Sequence, residues 1–494
     1  MPSPNSGKGK RILEQIAHRV MEARGFLPDF SPAALSELGK IQQVNGKPAT
    51  TARDLRQLLW ASIDNDDSRD LDQLTVAEPL PDKSVRICVA VADVDSLVKK
   101  DTAIDGHAWQ NTTSVYTAAM TFPMLPEKLS TDLTSLNPDE DRSAVVAEMV
   151  VGEEGEVLRS DIYPALVRNH AKLAYNSVAA WLEGEGPEPE PITKVAGLAE
   201  NLRLQDRVAQ ALKNRRHDHG ALDLQTLETH PVFEGEEILD LRPDERNRAT
   251  EIIEDFMIAA NGVIARFFHE KKVPAFRRMV RSPKRWDRIV EIAAQYNCHL
   301  PAQPDSRALG RFLVAQKEAD PLRFFDLSLT VIKLLGRGEY VVEFPDDVSP
   351  GHFGLAVKDY THSTAPNRRF PDLITQRILK SVLGGSRMPY NEEELVELAR
   401  HCTQKEDDAN KVERQVAKSV AAMLLSSRIG ENFDAICTGA AEKGTWVRIF
   451  DPHVEGRLTY GYEGIDVGEQ LRVQLIHTDV EKGYIDFKRV PSGH

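Results

Sequence analysis

Five aspartates fall within nine positions of this chain, at Asp64, Asp66, Asp67, Asp70 and Asp72. Carboxylates packed so densely repel one another unless positive charge lies between them, and each one taken out of water alone costs several kcal/mol. Hard oxygen ligands at this density suit Mg²⁺, or Mn²⁺ in its place. A solvated acidic loop is the plain alternative. A calcium loop of the EF-hand kind is a poorer one. Counting Asp64 as its first position puts Arg69 where glycine is required and Thr75 where the bidentate glutamate belongs.

The aspartates are bracketed by apolar chain. Leu58-Leu59-Trp60 precedes them, and Val85 to Ala92 follows as an uninterrupted run that reads as a buried strand. The acidic stretch is therefore expected on a loop held against a core. The chain has 494 residues, 41% hydrophobic and 28% charged, enough for two to four domains with an ample core. No run of about eighteen apolar residues occurs, so no membrane partner is expected. Met1 to Lys10 lacks an apolar core and reads as a short disordered arm, not a secretory signal. Cys88, Cys298, Cys402 and Cys437 are scattered, with no C-x-x-C pair, which fits a reducing, cytoplasmic compartment.

The formal net charge of -14 does not suggest a nucleic-acid partner. The charge is segregated, however. From Arg266 to Arg285 there are eight basic residues, Arg277 and Arg278 among them, against Glu270 alone. Phe267, Phe268, Phe276 and Trp286 lie in or beside this stretch. Such a mixture suits a track for a single nucleic-acid strand, with phosphates on Lys/Arg and bases on rings. A solvated helix face with core aromatics is the equal alternative.

In chain order, residues 1–52 hold two amphipathic helical pieces divided at Pro28, either a helix-turn-helix or a cap. Residues 53–428 alternate strand-like and helical segments. Strands are expected at 85–94, 145–151 and 156–165. Helices are expected at 195–217, 248–269, 286–296, 305–316, 371–384 and 391–428. Glu183 to Pro191 is acidic and proline-rich and reads as a surface insertion. Residues 429–494 change to short β-like runs separated by Gly and Asp turns, the pattern of a five-stranded OB-type barrel. Phe433, Trp446 and Phe450 are its candidate stacking rings. The fold class is α+β: a mixed α/β catalytic domain, a small helical N-terminal piece and a C-terminal β-barrel.

Five stretches in this order resemble the ribonuclease II family, with its RNB catalytic domain followed by a C-terminal OB barrel. They are Ile63 to Asp72, Phe122 to Pro126 with Leu129-Ser130 and Leu133, Gly220 to Leu224, Tyr360 to Asp372, and Val412-Glu413-Arg414. The resemblance implies a 3′-to-5′ exoribonuclease that hydrolyses single-stranded RNA to nucleoside 5′-monophosphates by two-metal Mg²⁺ catalysis. By the same matching, Asp64, Asp70, Asp72 and Gln73 would hold metal, with Asp70 and Asp72 catalytic. Arg368 would meet the scissile phosphate, with Arg369 beside it as a substrate contact. Tyr116 would stack near the last nucleotide, and Glu413 would contact the terminal ribose hydroxyls.

Two departures stand out. The family's fourth acidic place is Gln73 here, which removes one negative charge from the site. Typical members also carry two cold-shock-type barrels before the catalytic domain, where this chain has about 50 helical-looking residues before its aspartates; a more open channel entrance is the expected consequence. A monomer is expected. The rival reading is an RNA-binding protein whose nuclease site has lapsed, and a third is a DNA exonuclease.

Overall fold

The computed structural model describes residues 9–41, 52–225, 229–234, 237–243, 246–345, 347, 351–441 and 444–490. Of the expected N-terminal arm, Met1 to Lys8 lie outside these.

The larger part of the chain, before the barrel, is organised by one seven-stranded sheet. Its order is Arg53–Asp54, Val157–Arg168, Asp141–Val151, Val85–Ala92, Gln73–Pro79, Ala61–Asp64, Ala171–Ala174. The interior pairs are antiparallel and the two outermost pairs are parallel. Val85–Ala92 sits at the centre with every side chain but Arg86 buried, which is why its sequence is an apolar run without alternation. The helices Leu198–Asp218 and Arg248–Lys271 pack on this sheet. The second starts on a capping box, in which Asn247 accepts from the Thr250 N–H and Thr250 Oγ1 returns a bond to the Asn247 backbone.

The helix Glu392–Leu425 joins the two halves. Its 34 residues run about 50 Å. Leu395, Leu398 and Cys402 near its start belong to the main core. Val412, Val416 and Val420 further on belong to a second core shared with the barrel and the first helix. The barrel is closed, in the order Asn432–Ala441, Gly444–Phe450, His453–Tyr460, Tyr484–Arg489, Gln470–Asp479. The expected α+β class with a terminal five-stranded barrel therefore stands.

The N-terminal helices Gly9–Ala23 and Pro32–Lys40 are not paired as a helix-turn-helix. The first packs on Glu392–Leu425 and the second on the helix Ala103–Asn111, so the two cover different parts of the molecule.

The basic, aromatic stretch corrects a second expectation. Ala275–Met279 is a strand, paired antiparallel with Glu339–Glu343. Arg277 points inward, 1% exposed, with Nη2 2.7 Å from Glu343 Oε1 and 3.6 Å from Asp359. Arg278 is paired 2.6 Å from Glu406 and lies 4.8 Å over the Tyr340 ring. Neither offers a free guanidinium to a phosphate. Phe268 and Phe276 are core as well.

Three helices, Trp286–Gln295, Ser306–Ala319 and Pro321–Leu335, enclose a small third core around Ile289, Leu309, Phe312 and Phe324. Arg448 of the barrel reaches this unit through Asp326, 3.0 Å away.

Candidate active site

The acidic loop is stapled down by its main chain. Leu71 N–H donates to Ser135 Oγ at 3.0 Å, Ser135 Oγ donates to the Arg69 carbonyl at 2.9 Å, and Leu136 N–H donates to the Leu71 carbonyl at 2.9 Å. Ala92 N–H holds the Asp72 carbonyl at 2.9 Å. Within the loop, Asp64 Oδ1 accepts from Asn65 N–H at 2.8 Å and from Ser68 Oγ at 3.0 Å, closing the turn. Asp66 and Asp67 ride on the exposed tip. The five aspartates thus divide into an outward pair and the three at Asp64, Asp70 and Asp72.

Asp72 is the buried member, 1% exposed. Its Oδ1 accepts the Asn367 N–H at 3.0 Å and its Oδ2 accepts from Arg368 Nε at 3.1 Å. Burial pushes its carboxyl up to about 7, against the pull of Arg368 and with a further push from Asp70. Burial raises Asp70 too, and the Asp64 charge adds to that. Arg368 is held firmly charged. Desolvation works against it, but Asp72, Tyr116, Asp64 and Asp70 all favour the cation. Gln73 follows Asp72 at the first position of its strand, half-buried and paired with Val91.

Arg368 and Arg369 precede the helix Phe370–Leu383, which starts with Pro371 in its first turn. Ser114 N–H donates to the Arg368 carbonyl at 2.9 Å, and Phe370 N–H donates to the Thr112 carbonyl at 2.8 Å. Arg369 Nη2 lies 2.8 Å from Asp372 Oδ1, which also accepts the Ala365 N–H at 2.8 Å. So Arg369 is anchored within its own loop, while Arg368 reaches the aspartates.

Residues 112–114 lead into the short hairpin Val115–Tyr116 with Thr121–Phe122. Tyr116 is 45% exposed. Its hydroxyl donates to Asp70 Oδ2 at 3.2 Å, and its N–H donates to Glu413 Oε1 at 3.0 Å. Five segments far apart in sequence therefore meet: 64–73, 112–116, 135–136, 367–369 and 413.

Two residues at the site were not singled out by sequence. Asn367 supplies the main-chain donor to Asp72, a role any residue but proline fills, so no side-chain signal marks it. Tyr175, at the start of the helix Tyr175–Glu183, has its hydroxyl raised by burial and then by the Asp64 charge.

In the barrel strand Gly444–Phe450, inward and outward side chains alternate. Phe433 points inward, 6% exposed and edge-on to Phe487 at 6.3 Å between centroids. A ring packed on both sides has no face for a base, so Phe433 is a core residue and not a stacking platform. Trp446 is half-buried, and Phe450 is 39% exposed.

The oxygens at Asp64, Asp70, Asp72 and Gln73 are all hard donors. Among the described residues, no three His, Cys, Asp or Glu side chains stand close enough to hold one ion. The donor set fits Mg²⁺ in its usual manner, in which one or two carboxylates and several waters share the ion with substrate phosphate. The raised, buried Asp72 carboxyl is the observation that a nearby cation would relieve.

An α/β sheet with an aspartate loop facing an arginine, joined to an S1-type barrel, defines the class. The chain belongs to the RNB domain family, whose model matches residues 52–385, and its end matches the RNase II-type exonuclease C-terminal S1 domain over 431–490. Among curated proteins it is 30% identical to Ribonuclease R of Vibrio parahaemolyticus, over 96% of this chain and 60% of that protein. It is 29% identical to Ribonuclease R of Aquifex aeolicus, over 99% of this chain and 73% of the relative. The chain thus spans about three-fifths of the first of these relatives. Among solved structures, Mycoplasma genitalium RNase R in complex with ribose methylated single-stranded RNA superposes with a TM-score of 0.86 at 21% identity, over 97% of this chain and 78% of that one. Among the described residues no helix is long and apolar enough to cross a membrane.

Proposed function

We propose that this protein is a metal-dependent 3′-to-5′ exoribonuclease that releases nucleoside 5′-monophosphates from single-stranded RNA. The observation that carries the reading is Arg368 bonded to Asp72, with the Asp64 and Asp70 charges also favouring its cation and the Tyr116 hydroxyl bonded to Asp70. Family membership supports the reaction class, and relatives named Ribonuclease R support RNA as substrate.

Asp64, Asp70 and Asp72, with the Gln73 amide, would hold Mg²⁺ or Mn²⁺. When bound, the ions would lower the pKa of the attacking water and steady the leaving 3′-oxygen. The chain's own groups do the rest. Arg368, charged and preset by Asp72, stabilises the charge that builds on the non-bridging oxygens as the phosphodiester is attacked. Asp72 and Asp70 are kept in place by main-chain bonds, so the site does not have to reorganise as that charge develops. Tyr116 offers an exposed ring to the last base. Glu413, beside the Tyr116 backbone, contacts the ribose hydroxyls, the group by which RNA is told from DNA. Arg369, fixed by Asp372, shapes the loop that presents Arg368. In the barrel, Phe450 and Trp446 remain the stacking candidates for the incoming strand.

The direct test is a 5′-labelled single-stranded RNA incubated with Mg²⁺. Stepwise loss from the 3′ end with mononucleotide product is expected. A mobility shift with no cleavage would establish instead the reading that Gln73 motivates, an RNA-binding protein whose nuclease site has lapsed. Equal cleavage of an oligonucleotide with a 3′-terminal deoxyribose would remove the ribose contact from the account.

A further inference from the structure

The hairpin that carries Tyr116 has two residues in each strand. A hairpin so short is not stable alone and takes its position from whatever lies beneath it. Here its underside is Val115, Ala119 and Phe122, all buried in the second core. The same core contains Leu13, Ile16, Ala17 and Met21 of the first helix, and Val412, Val416 and Val420 on the turns of the long helix that flank Glu413. His18, half-buried, meets the Phe122 ring edge-on, with centroids 5.1 Å apart and planes at 76°.

The chain leaving the helix is tied to the same two supports. The Gly25 carbonyl accepts from Gln110 Nε2 at 2.8 Å and from Lys405 Nζ at 2.5 Å. Leu27 is bonded through both its N–H and its carbonyl to the Asn111 side chain, 2.8 Å each. Gln110 and Asn111 end the helix that runs into the hairpin. Residues 9–27 therefore touch the hairpin, the helix feeding it and the helix carrying Glu413.

We propose that the N-terminal helix is a splint for the Tyr116–Glu413 clamp and that His18 is a positioning residue for the 3′-terminal nucleotide, acting through Phe122. It touches neither substrate nor aspartate. It fixes the height of Tyr116 between Asp70 and Glu413. This rests on the reading of Tyr116 and Glu413 as the contacts of the terminal nucleotide.

The test compares binding of 5′-fluorescein RNA ending in a 3′-ribose or a 3′-deoxyribose, read by anisotropy in chelator so that turnover plays no part. The variants are His18→Ala, His18→Phe and Arg19→Ala in the full chain. Arg19 lies on the same helix but pairs with Glu481 of the barrel. Loss of an edge-on ring contact should narrow the ribose-to-deoxyribose ratio by about fivefold in His18→Ala. With Mg²⁺, the same variant should raise KM while kcat changes little. His18→Phe should restore the ratio, and Arg19→Ala should leave it at the wild-type value. An unchanged ratio in His18→Ala overturns the proposal. So does a loss that Arg19→Ala shares or that His18→Phe fails to repair, and so does a wild-type chain with no ribose preference. A wild-type chain that prefers the ribose end but never cleaves removes the exonuclease reading and leaves this one standing.

Discussion

Asp72→Asn should destroy hydrolysis and at the same time make the metal-free protein more stable. Asp72 is 1% exposed, and burial lifts its carboxyl from 3.8 to about 7. The folded state thus prefers the protonated form. The sign follows from linkage: stability from this group is fully present below about pH 4 and is lost as pH rises to about 7. Above that the ionised carboxylate costs on the order of 4 kcal/mol, from about three pKa units at 1.36 kcal/mol each. Asparagine keeps the shape, and its Oδ1 can still accept the Asn367 N–H, but it carries no charge. In chelator at pH 8, Asp72→Asn should therefore melt above wild type, and the two should converge near pH 4. Mg²⁺ should then raise the melting temperature of wild type and have little effect on the variant, since a ligand stabilises only the state that binds it. Thermal melts across pH, with and without Mg²⁺, measure all of this alongside a 3′-end cleavage assay. A variant that melts below wild type at pH 8 in chelator would refute the reasoning about Asp72, and a variant that still cleaves would refute its place in the site.

Arg368→Ala should lower turnover by about 10² or more, because one preset donor to developing charge is worth that much; single-turnover rates on a short RNA check it, and a change below tenfold would count against the contact. His107 is buried, its ring pushed down to about 4 by desolvation, with Asn111 Nδ2 3.2 Å from its Nε2. A depressed histidine favours the folded state above its unfolded pKa, so stability should fall by about 3 kcal/mol between pH 6.5 and 4; His107→Gln should flatten that part of the pH–stability curve. Phe433→Ala should cost about 3–5 kcal/mol in barrel stability as a core truncation, whereas Phe450→Ala should leave the melting temperature near wild type and weaken RNA affinity by about 1–3 kcal/mol, both measurable by calorimetry and anisotropy.

How much of this was readable in advance depends on how local each signal is. The aspartate loop announces itself because its charges are neighbours in sequence and its flanks are apolar. The barrel is readable from period-two alternation. The same rule, pressed further, sorts its rings: Phe433, Ala435 and Cys437 share one face and are buried, while Trp446, Arg448 and Phe450 oppose buried Val447 and Ile449. Phe433 could have been assigned to the core on that ground. The basic stretch was harder. Whether Arg277 is a phosphate ligand or a buried partner is decided by Glu343 and Asp359, and for Arg278 by Glu406. Those residues lie far along the chain, and no composition window contains them. The pairing of Ala275–Met279 with Glu339–Glu343 is hidden for the same reason.

The site is assembled chiefly by backbone. Ala92 N–H fixes the Asp72 carbonyl, Asn367 N–H fixes its side chain, Ser114 N–H fixes Arg368, and Tyr116 N–H fixes Glu413. In each case the donor is a peptide group whose side chain is free to differ. Position is thus set by peptide groups at strand and helix ends, and the side chains of those donors are not constrained by the bonds they make. The loop's course is held at Ser135, Ala92 and Leu136 by bonds to the main-chain groups of Arg69, Leu71 and Asp72, and none of these bonds needs a charge at position 73.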